Sequence, residues 1–284
     1  MKLFNTAKGI ALQDQAEVYH LKEEWDMLLN TPHLHKHLKT LVQTSPKLDN
    51  TLFNDWVNTG LRPPIGTQEV WAAGVTYLRS RDARMEESKS SGGGDFYDKV
   101  YAAERPELFF KANPGRVAAH NEEVFIRHDS EWNVPEPELT LFINSQGAVQ
   151  GYTIGNDMSS RSIEGANPLY LPQAKVYERS AALGPSLLVP DHPLPPETRI
   201  SIVIDRAGNP VFEDSIAISR MKRSFDELAR FLFRECAFKT GCFLMTGTGI
   251  VPPGDFTLEP GDQVQISIEG IGTLQNKVAL SPLR

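Results

Sequence analysis

Two glutamates and a later aspartate are the residues whose types and spacing best fit a chemical role. Glu136 and Glu138 flank Pro137, and Asp157 follows later in the chain. Pro137 fixes its own φ and disfavours helix at Glu136, so the segment is extended and both carboxylates point to the same face. If Asp157 joins them in space, the three carboxylates repel one another unless a cation neutralises them. An all-oxygen set suits a hard divalent ion, Mg²⁺, Mn²⁺ or Ca²⁺, and we predict that these three residues bind the metal of an enzyme.

The composition narrows the class of protein that must hold this site. The 284 residues are 40% apolar and 23% charged, which is ordinary for a globular protein, and the net charge of -7 gives no basic surface for nucleic acid. The first residues lack an apolar signal-peptide core, and no apolar run reaches membrane-spanning length. The two cysteines, Cys236 and Cys242, form no Cys-x-x-Cys pair. We therefore predict a cytoplasmic protein with reduced thiols and no nucleic-acid or membrane partner.

The first 61 residues favour a different type of secondary structure from the rest of the chain. Residues 1–61 favour helix, with residues 16–29 showing mixed apolar periodicity. Residues 61–66 contain two prolines and a glycine and have the composition of a linker. We predict a small N-terminal domain at residues 1–66 and a catalytic domain at residues 67–284.

Beyond the linker, short strands predominate and must position the acidic residues. Residues 139–143 and 149–154 flank a turn sequence at residues 144–147, which predicts a β-hairpin whose ends carry the acids. Further strands are predicted at residues 70–76, 186–189, 199–205, 215–219 and 263–268. Their alternation of apolar and polar residues indicates sheets with one buried face, in a mixed or antiparallel β-rich domain.

Two helices are predicted among these strands. The charged residues 79–90 favour a helix that ends in a glycine-rich loop at residues 91–94. Ser224 and Glu227 form a capping-box signature, followed by an apolar stripe that reaches Cys236, and Gly241 stands where this second helix should end.

Seven short motifs occur in an order that resembles the fumarylacetoacetate hydrolase superfamily. They lie at residues 136–139, 151–161, 173–175, 183–185, 246–249, 258–262 and 271–276. The resemblance covers roughly residues 70–280. It implies an α+β, β-rich fold, a mixed β-sandwich roll with a small N-terminal domain, assembled as a homodimer or larger homo-oligomer. By motif position it also assigns the metal to Glu136, Glu138 and Asp157.

One departure from the superfamily pattern affects the expected reaction. Hydrolytic members carry a water-activating histidine where this sequence has Ser80, and a serine hydroxyl cannot act as a general base near neutral pH. Through Tyr77, Ser80, Arg84 and residues 105–111, the chain instead resembles the sugar-acid dehydratase branch. That branch implies loss of water from a 2-keto-3-deoxy-pentonate to give 2,5-dioxopentanoate, with Mg²⁺ and no organic cofactor.

The same resemblance implies roles for residues around the metal. Glu107 and Lys175 would transfer protons, although the sequence does not decide which acts as base. Six residues are predicted to contact the small 2-keto acid substrate: Tyr77, Ser80, Arg84, Lys111, Arg161 and Thr248.

Two other functions stay open at this point. One is an acylpyruvate or fumarylacetoacetate type hydrolase that uses another base, and the other is a non-catalytic α-keto acid binding protein. A dehydratase releases one semialdehyde, a hydrolase releases two acids, and a binding protein releases no product. Substrate chain length and stereochemistry also stay open, because they depend on pocket geometry.

Overall fold

Strands form most of the regular structure in the computed structural model, which describes residues 1–87 and 94–283. In chain order the strands are β1 (Lys2–Thr6), β2 (Gly9–Asp14), β3 (Glu17–Leu21), β4 (Lys47–Leu48), β5 (Glu69–Gly74), β6 (Glu107–Ala112), β7 (Val117–Ala118), β8 (Glu123–Ile126), β9 (Asn133–Val134), β10 (Pro137–Ile143), β11 (Val149–Asp157), β12 (Ser159–Ser160), β13 (Ala181–Leu188), β14 (Arg199–Arg206), β15 (Asn209–Ala217), β16 (Cys242–Met245), β17 (Gln263–Ile268) and β18 (Gly272–Leu280). The helices are α1 (Trp25–Leu29), α2 (Leu34–Thr44), α3 (Asn50–Gly60), α4 (Leu78–Glu87), α5 (Gly94–Ala102), α6 (Arg161–Ala166), α7 (Leu171–Lys175) and α8 (Phe225–Leu232).

A large mixed sheet runs through the molecule in the order β4-β3-β2-β1-β13-β11-β10-β16-β5-β6, and β7 pairs with β13 outside this path. Most neighbours are antiparallel, but β16 and β5 are parallel. The predicted hairpin is present as β10 and β11, with Leu139 opposite Ile154. A second sheet has the order β15-β14-β17-β18-β8, and β9 pairs with β12 beside the large sheet.

Apolar side chains fill both faces of the large sheet. Along β10, Leu139 and Leu141 belong to a core shared with Ile202 and Ile266 of the second sheet. Phe142, which points the other way, belongs to a core that includes helices α1 and α2. This alternation follows from the two-residue period of a strand. The predicted β-rich α+β fold, a mixed sandwich roll, is confirmed.

The N-terminal segment corrects the helical expectation for residues 1–61. Its first 21 residues form the antiparallel strands β1, β2 and β3, and helices begin only at Trp25. β1 joins the large sheet by pairing with β13, where Leu3 lies opposite Leu187. This pairing partner lies far away in sequence, so local periodicity cannot reveal it. The division at residue 66 stays a prediction.

The two predicted helices are present with changed limits. Helix α4 spans Leu78–Glu87, and residues 88–93, which include the end of the predicted helix and most of the predicted glycine loop, lie outside the described residues. Gly94, predicted in that loop, begins α5. Ser224 caps α8 by accepting a hydrogen bond from the backbone N–H of Glu227, as the capping box predicts. However, α8 ends at Leu232, so the predicted continuation through the exposed Cys236 to Gly241 is wrong. Within the described ranges, no helix has the length and apolar character needed to cross a membrane.

Candidate metal centre and active site

The β10–β11 hairpin brings the three predicted metal ligands together. Glu138 lies on β10, and Glu136, just before β10, exchanges backbone hydrogen bonds of 3.2 and 3.0 Å with Asp157 at the end of β11. Ligand oxygens of the three carboxylates lie within 4.8 Å of one another, and all three residues are buried. The geometry therefore gives the close carboxylate cluster that the spacing predicts.

A glycine after β16 makes room for one of these carboxylates. The Gly247 backbone N–H donates a 2.6 Å hydrogen bond to Oε2 of Glu138. Gly247 has a φ of +93°, and a Cβ there would lie 2.1 Å from Oγ1 of Thr76. Both the left-handed backbone and the lack of space require glycine at this position.

Three cations surround Glu136. Its Oε2 accepts a hydrogen bond from Lys175 at 2.7 Å, and its Oε1 accepts hydrogen bonds from Arg161 at 2.7 Å and from Arg84 at 3.2 Å. Burial by itself raises the pKa of Glu136, but the charges of these three residues outweigh burial and lower the pKa well below its ordinary value. Glu136 is therefore ionised at neutral pH.

Glu138, two residues away, has the opposite electrostatic environment. Burial raises its pKa well above the ordinary value, and the negative charges of Asp157 and Glu136 raise it further. Lys175 and the Gly247 N–H oppose this shift only in part. A cation bound between the carboxylates would remove the repulsion that holds this pKa high.

Two buried lysines contact Asp157 from different sides. Lys175 Nζ lies 3.1 Å from Oδ2 of Asp157 and donates to Oγ of Ser159 at 2.6 Å. Lys111 Nζ lies 2.5 Å from Oδ1 of Asp157 and donates to the backbone oxygens of Met158 and Lys175 at 2.9 and 2.5 Å. Lys111 is fully buried behind Asp157 and is not part of the cavity wall, so the structure does not place it against a substrate.

The charges of the site fit a divalent cation. Five carboxyl groups and four cationic groups meet here: Glu107, Glu136, Glu138, Asp157 and Glu164 with Arg84, Lys111, Arg161 and Lys175. With every group ionised the cluster carries one negative charge. A divalent ion and one substrate carboxylate would bring the total to zero, and buried charges are stable only when compensated. The donor set is all oxygen, as Mg²⁺ prefers.

A cavity opens beside the carboxylates and is lined by most of the predicted site residues. Those in its wall are Ser80, Glu107, Arg84, Arg161, Lys175 and Thr248, together with Glu136 and Asp157. The space at its centre is about 20 Å³, which holds a water molecule, so substrate entry requires side chains to move. Tyr77, in contrast, is buried outside this wall, and burial raises the pKa of its hydroxyl.

The predicted proton-transfer residue Glu107 starts β6 and faces the cavity from opposite Gly74 of β5. Burial raises the pKa of its carboxyl group, Arg84 and Lys175 oppose the shift, and the negative charge of Glu136 adds to it. A carboxyl group with a raised pKa can both accept and return a proton near neutral pH.

Two residues at the site, Glu164 and Ser159, were not among those predicted from the sequence. Glu164 is buried, lines the cavity and forms an ion pair with Arg84. It follows Arg161 by three residues, so both lie on one face of α6, and this spacing is the signal that indicates it. Ser159 is fully buried and accepts the hydrogen bond from Lys175; its place two residues after Asp157 is its only sequence signal.

Comparison with known proteins gives three consistent matches in sequence. The family model for the C-terminal domain of fumarylacetoacetate hydrolase matches residues 70–279. The chain is 49% identical over 216 residues to a probable 2-keto-3-deoxyxylonate dehydratase of Haloferax volcanii, covering 76% of this chain and 73% of the relative. It is 43% identical over 213 residues to the 2-dehydro-3-deoxy-D-arabinonate dehydratase of Saccharolobus solfataricus, covering 74% and 72%.

Two solved structures of a dehydratase match the fold of nearly the whole chain. The structure of 2-keto-3-deoxy-D-arabinonate dehydratase complexed with magnesium and 2,5-dioxopentanoate matches with a TM-score of 0.83, 33% sequence identity and 99% coverage of both chains. The apo form of that enzyme matches with a TM-score of 0.84, 32% identity and the same coverage.

Proposed function

The chain belongs to the fumarylacetoacetate hydrolase family, and from this premise we propose that it is a Mg²⁺-dependent dehydratase that converts a 2-keto-3-deoxy-pentonate to 2,5-dioxopentanoate. The observation that carries the proposal is the identity of 49% and 43% to two dehydratases of 2-keto-3-deoxy-pentonates. The buried carboxylate cluster beside a cavity with Glu107 and Lys175 in its wall supports the same reaction.

Glu136, Glu138 and Asp157 hold the metal in this proposal, and Mn²⁺ and Ca²⁺ are the other ions that such an oxygen set accepts. When bound, Mg²⁺ supplies Lewis acidity to the C2 carbonyl of the substrate, which makes the C3 proton acidic. Lys111 lies 2.5 Å from Asp157 and outside the cavity wall, so we propose that it positions Asp157, and its contact with the substrate stays a prediction.

Glu107 is the proton carrier in our mechanism. Its carboxylate removes a proton from C3 and then gives it to the C4 hydroxyl, which leaves as water. Transfer of a proton from C5 to C3 converts the remaining 5-hydroxy-3-ene into an enol with a C4–C5 double bond. Transfer of the enol hydroxyl proton to C4 then gives the C5 aldehyde. One group serves both transfers because the raised pKa of Glu107 lies closer to neutrality than that of an ordinary glutamate.

Lys175 stabilises the negative charge that develops on the C2 oxygen. Its ammonium group lies between Glu136, Asp157 and Ser159, with distances of 2.6 to 3.1 Å, and so has a fixed position before the reaction begins. A preorganised cation in a buried site lowers the barrier without a cost of reorganisation.

The remaining wall residues bind the substrate. Arg84 and Arg161 provide positive charge near its carboxylate, and Thr248 and Ser80 provide hydroxyls. Ser80 donates a 2.8 Å hydrogen bond to the backbone oxygen of Tyr77, so it helps to fix the start of α4. Ser80 stands where hydrolytic members of the family carry their histidine base, so this position favours dehydration over hydrolysis.

The remaining parts of the proposal concern location and assembly. We infer a homodimer or larger homo-oligomer from the family resemblance, and a small domain at residues 1–66 from the linker composition of residues 61–66. A cytoplasmic location stays part of the proposal. Size-exclusion chromatography with light scattering measures the assembly directly, and an elution as monomer alone contradicts that part.

A product analysis tests the function. Purified protein with Mg²⁺ is incubated separately with 2-keto-3-deoxy-pentonates of both C4 configurations and with an acylpyruvate, and products are identified by mass. We expect loss of one water from a pentonate, and none in Glu138→Gln. Cleavage of acylpyruvate into two acids, with the pentonates unchanged, would show a hydrolase, and binding without any product would show a binding protein.

A further inference from the structure

A second cavity, which we call the rear cavity, lies outside the active site. Its volume is about 260 Å³, and its wall includes Trp71, Arg105, Leu108, Phe231 and Arg234. None of these residues lines the active-site cavity. The reaction proposed above does not use any of them.

Three arginines converge on one aromatic ring at the rear cavity. The guanidinium carbons of Arg105, Arg230 and Arg234 lie 5.7, 5.9 and 4.2 Å from the centre of the Phe231 ring. An aromatic face attracts a guanidinium group only weakly at an exposed site. The three contacts therefore place positive charge around the ring without neutralising it.

These three arginines form no salt bridge within the described part of the chain. Salt bridges within 4.0 Å occur for the nearby Arg223, which contacts Glu227 at 2.6 Å, but for none of Arg105, Arg230 and Arg234. The protein as a whole carries a net charge of -7, so acidic residues are plentiful elsewhere. Within the described residues, these three guanidinium groups are therefore not engaged in ion pairs and can bind an anion.

The chemistry of the wall indicates what the rear cavity binds. A guanidinium group presents a planar fork of N–H donors that matches phosphate and carboxylate oxygens in pairs. Trp71, Leu108 and Phe231 add an apolar and aromatic surface beside these donors. A concave surface that combines apolar groups with convergent polar groups is typical of small-molecule sites.

We propose that the rear cavity is a binding site for a small dianion, a phosphomonoester or a dicarboxylate, held between Arg105 and Arg234 with its apolar part against Phe231 and Trp71. Two or more uncompensated guanidinium groups favour a dianion over a monocarboxylate. The site does not depend on the identity of the reaction.

The strand β6 separates this site from the active site. Successive residues of a strand point to opposite faces. Glu107 and Phe109 line the active-site cavity, whereas Leu108 between them lines the rear cavity. A ligand in the rear cavity therefore contacts the back of the strand that carries Glu107.

Isothermal titration calorimetry at constant ionic strength tests the proposal on the full chain. The probes are inorganic phosphate, phenyl phosphate and succinate. We expect saturable binding of at least one probe, weakened roughly tenfold or more in Arg105→Gln and in Arg234→Gln. Arg199→Gln, which removes an exposed arginine on β14, is the matched control and should bind as the wild type does.

The pattern across probes identifies the ligand class. Phenyl phosphate binding more tightly than phosphate supports a phosphomonoester with an aromatic part, and preference for succinate supports a dicarboxylate. Glu138→Gln should retain binding, because that residue belongs to the metal centre. No saturable binding of any probe, or binding that is lost in Glu138→Gln but kept in both arginine variants, overturns the proposal.

Discussion

Glu136 and Glu138 show how two identical side chains in one buried site differ in electrostatic role. Glu136 accepts hydrogen bonds from Lys175, Arg161 and Arg84, and its pKa is low. Glu138 accepts a hydrogen bond from the backbone N–H of Gly247 and lies beside the acidic Asp157 and Glu136, and its pKa is high. Folding therefore gains free energy from the ionised form of Glu136 and loses free energy by ionising Glu138.

The first prediction is that neutralising these two residues has opposite effects on metal-free stability. At pH 7 in EDTA, Glu138→Gln should raise the free energy of unfolding by roughly 1–3 kcal/mol because it removes a buried repulsion. Glu136→Gln should lower it by roughly 3–5 kcal/mol because it leaves buried cations uncompensated. Urea unfolding followed by circular dichroism measures both.

The pH dependence of these effects follows from the direction of each pKa shift. The contribution of Glu136 is present above its unfolded pKa and is lost as the pH falls, whereas the cost of Glu138 appears as the pH rises above its unfolded pKa. The gain in Glu138→Gln should therefore shrink towards pH 4. Equal losses of stability in both variants would contradict the assigned electrostatics.

The second prediction concerns Glu107 as the proton acceptor. Because burial raises its pKa and the ionised form is the base, kcat/KM should rise with pH through a value above the ordinary glutamate pKa of about 4.3. Glu107→Gln should lower kcat by about 10²–10⁴-fold and abolish this acidic limb. Initial rates from pH 4 to 9 measure the profile.

An exposed glutamate gives the control for that profile. Glu269→Gln changes a surface residue in the turn before β18 and should keep the wild-type rate and pH dependence. If Glu107→Gln keeps the acidic limb, another group is the base, and the assignment of Glu107 fails.

At the scale of elements, the pairing of β5 with β6 positions the proton carrier. Gly74 of β5 lies opposite Glu107, and a Cβ at Gly74 would lie 2.0 Å from Oε2 of Glu107. The clash is with the end of a flexible side chain, so the strand pair can remain while the carboxylate turns away.

The third prediction is that Gly74→Ala separates activity from stability. We expect kcat to fall about tenfold or more, because a misplacement of about 1 Å near reacting atoms costs up to about 10²-fold. The melting temperature should change by only a few degrees. Gly254→Ala, with no atom within 4 Å of its added Cβ, is the control. An unchanged kcat in Gly74→Ala would mean that the position of Glu107 does not limit the reaction.

The helices and strands that depend on nearby turn or capping residues could be predicted from the sequence. Which strands pair with each other in the sheets could not. The hairpin of β10 and β11 and the cap of α8 depend on nearby turn and capping residues, and both are present. The parallel pairing of β16 with β5 joins residues more than 160 positions apart in sequence, and no local pattern encodes it.

At the scale of the whole molecule, the predicted carboxylate cluster is present, whereas the helix predicted for the start of the chain is wrong for residues 1–21. The carboxylates come together as their spacing and the family motifs indicate. Residues 1–61 were expected to be helical, but the first 21 form the consecutive antiparallel strands β1, β2 and β3, and β1 also pairs with the distant β13. Lys111 was predicted to contact the substrate, and only the packed structure shows that it lies behind Asp157.

The cations around the carboxylates have a further consequence for how the enzyme obtains its metal. Lys175, Lys111, Arg161 and Arg84 act as internal counterions, so four of the five negative charges of the acidic cluster are compensated before Mg²⁺ arrives. A zinc finger, by contrast, stays unfolded until its metal binds. The chain should show native circular dichroism in EDTA and recover full activity when Mg²⁺ is restored. In a cell short of Mg²⁺, the enzyme would persist as a folded inactive reservoir, available without new synthesis or refolding.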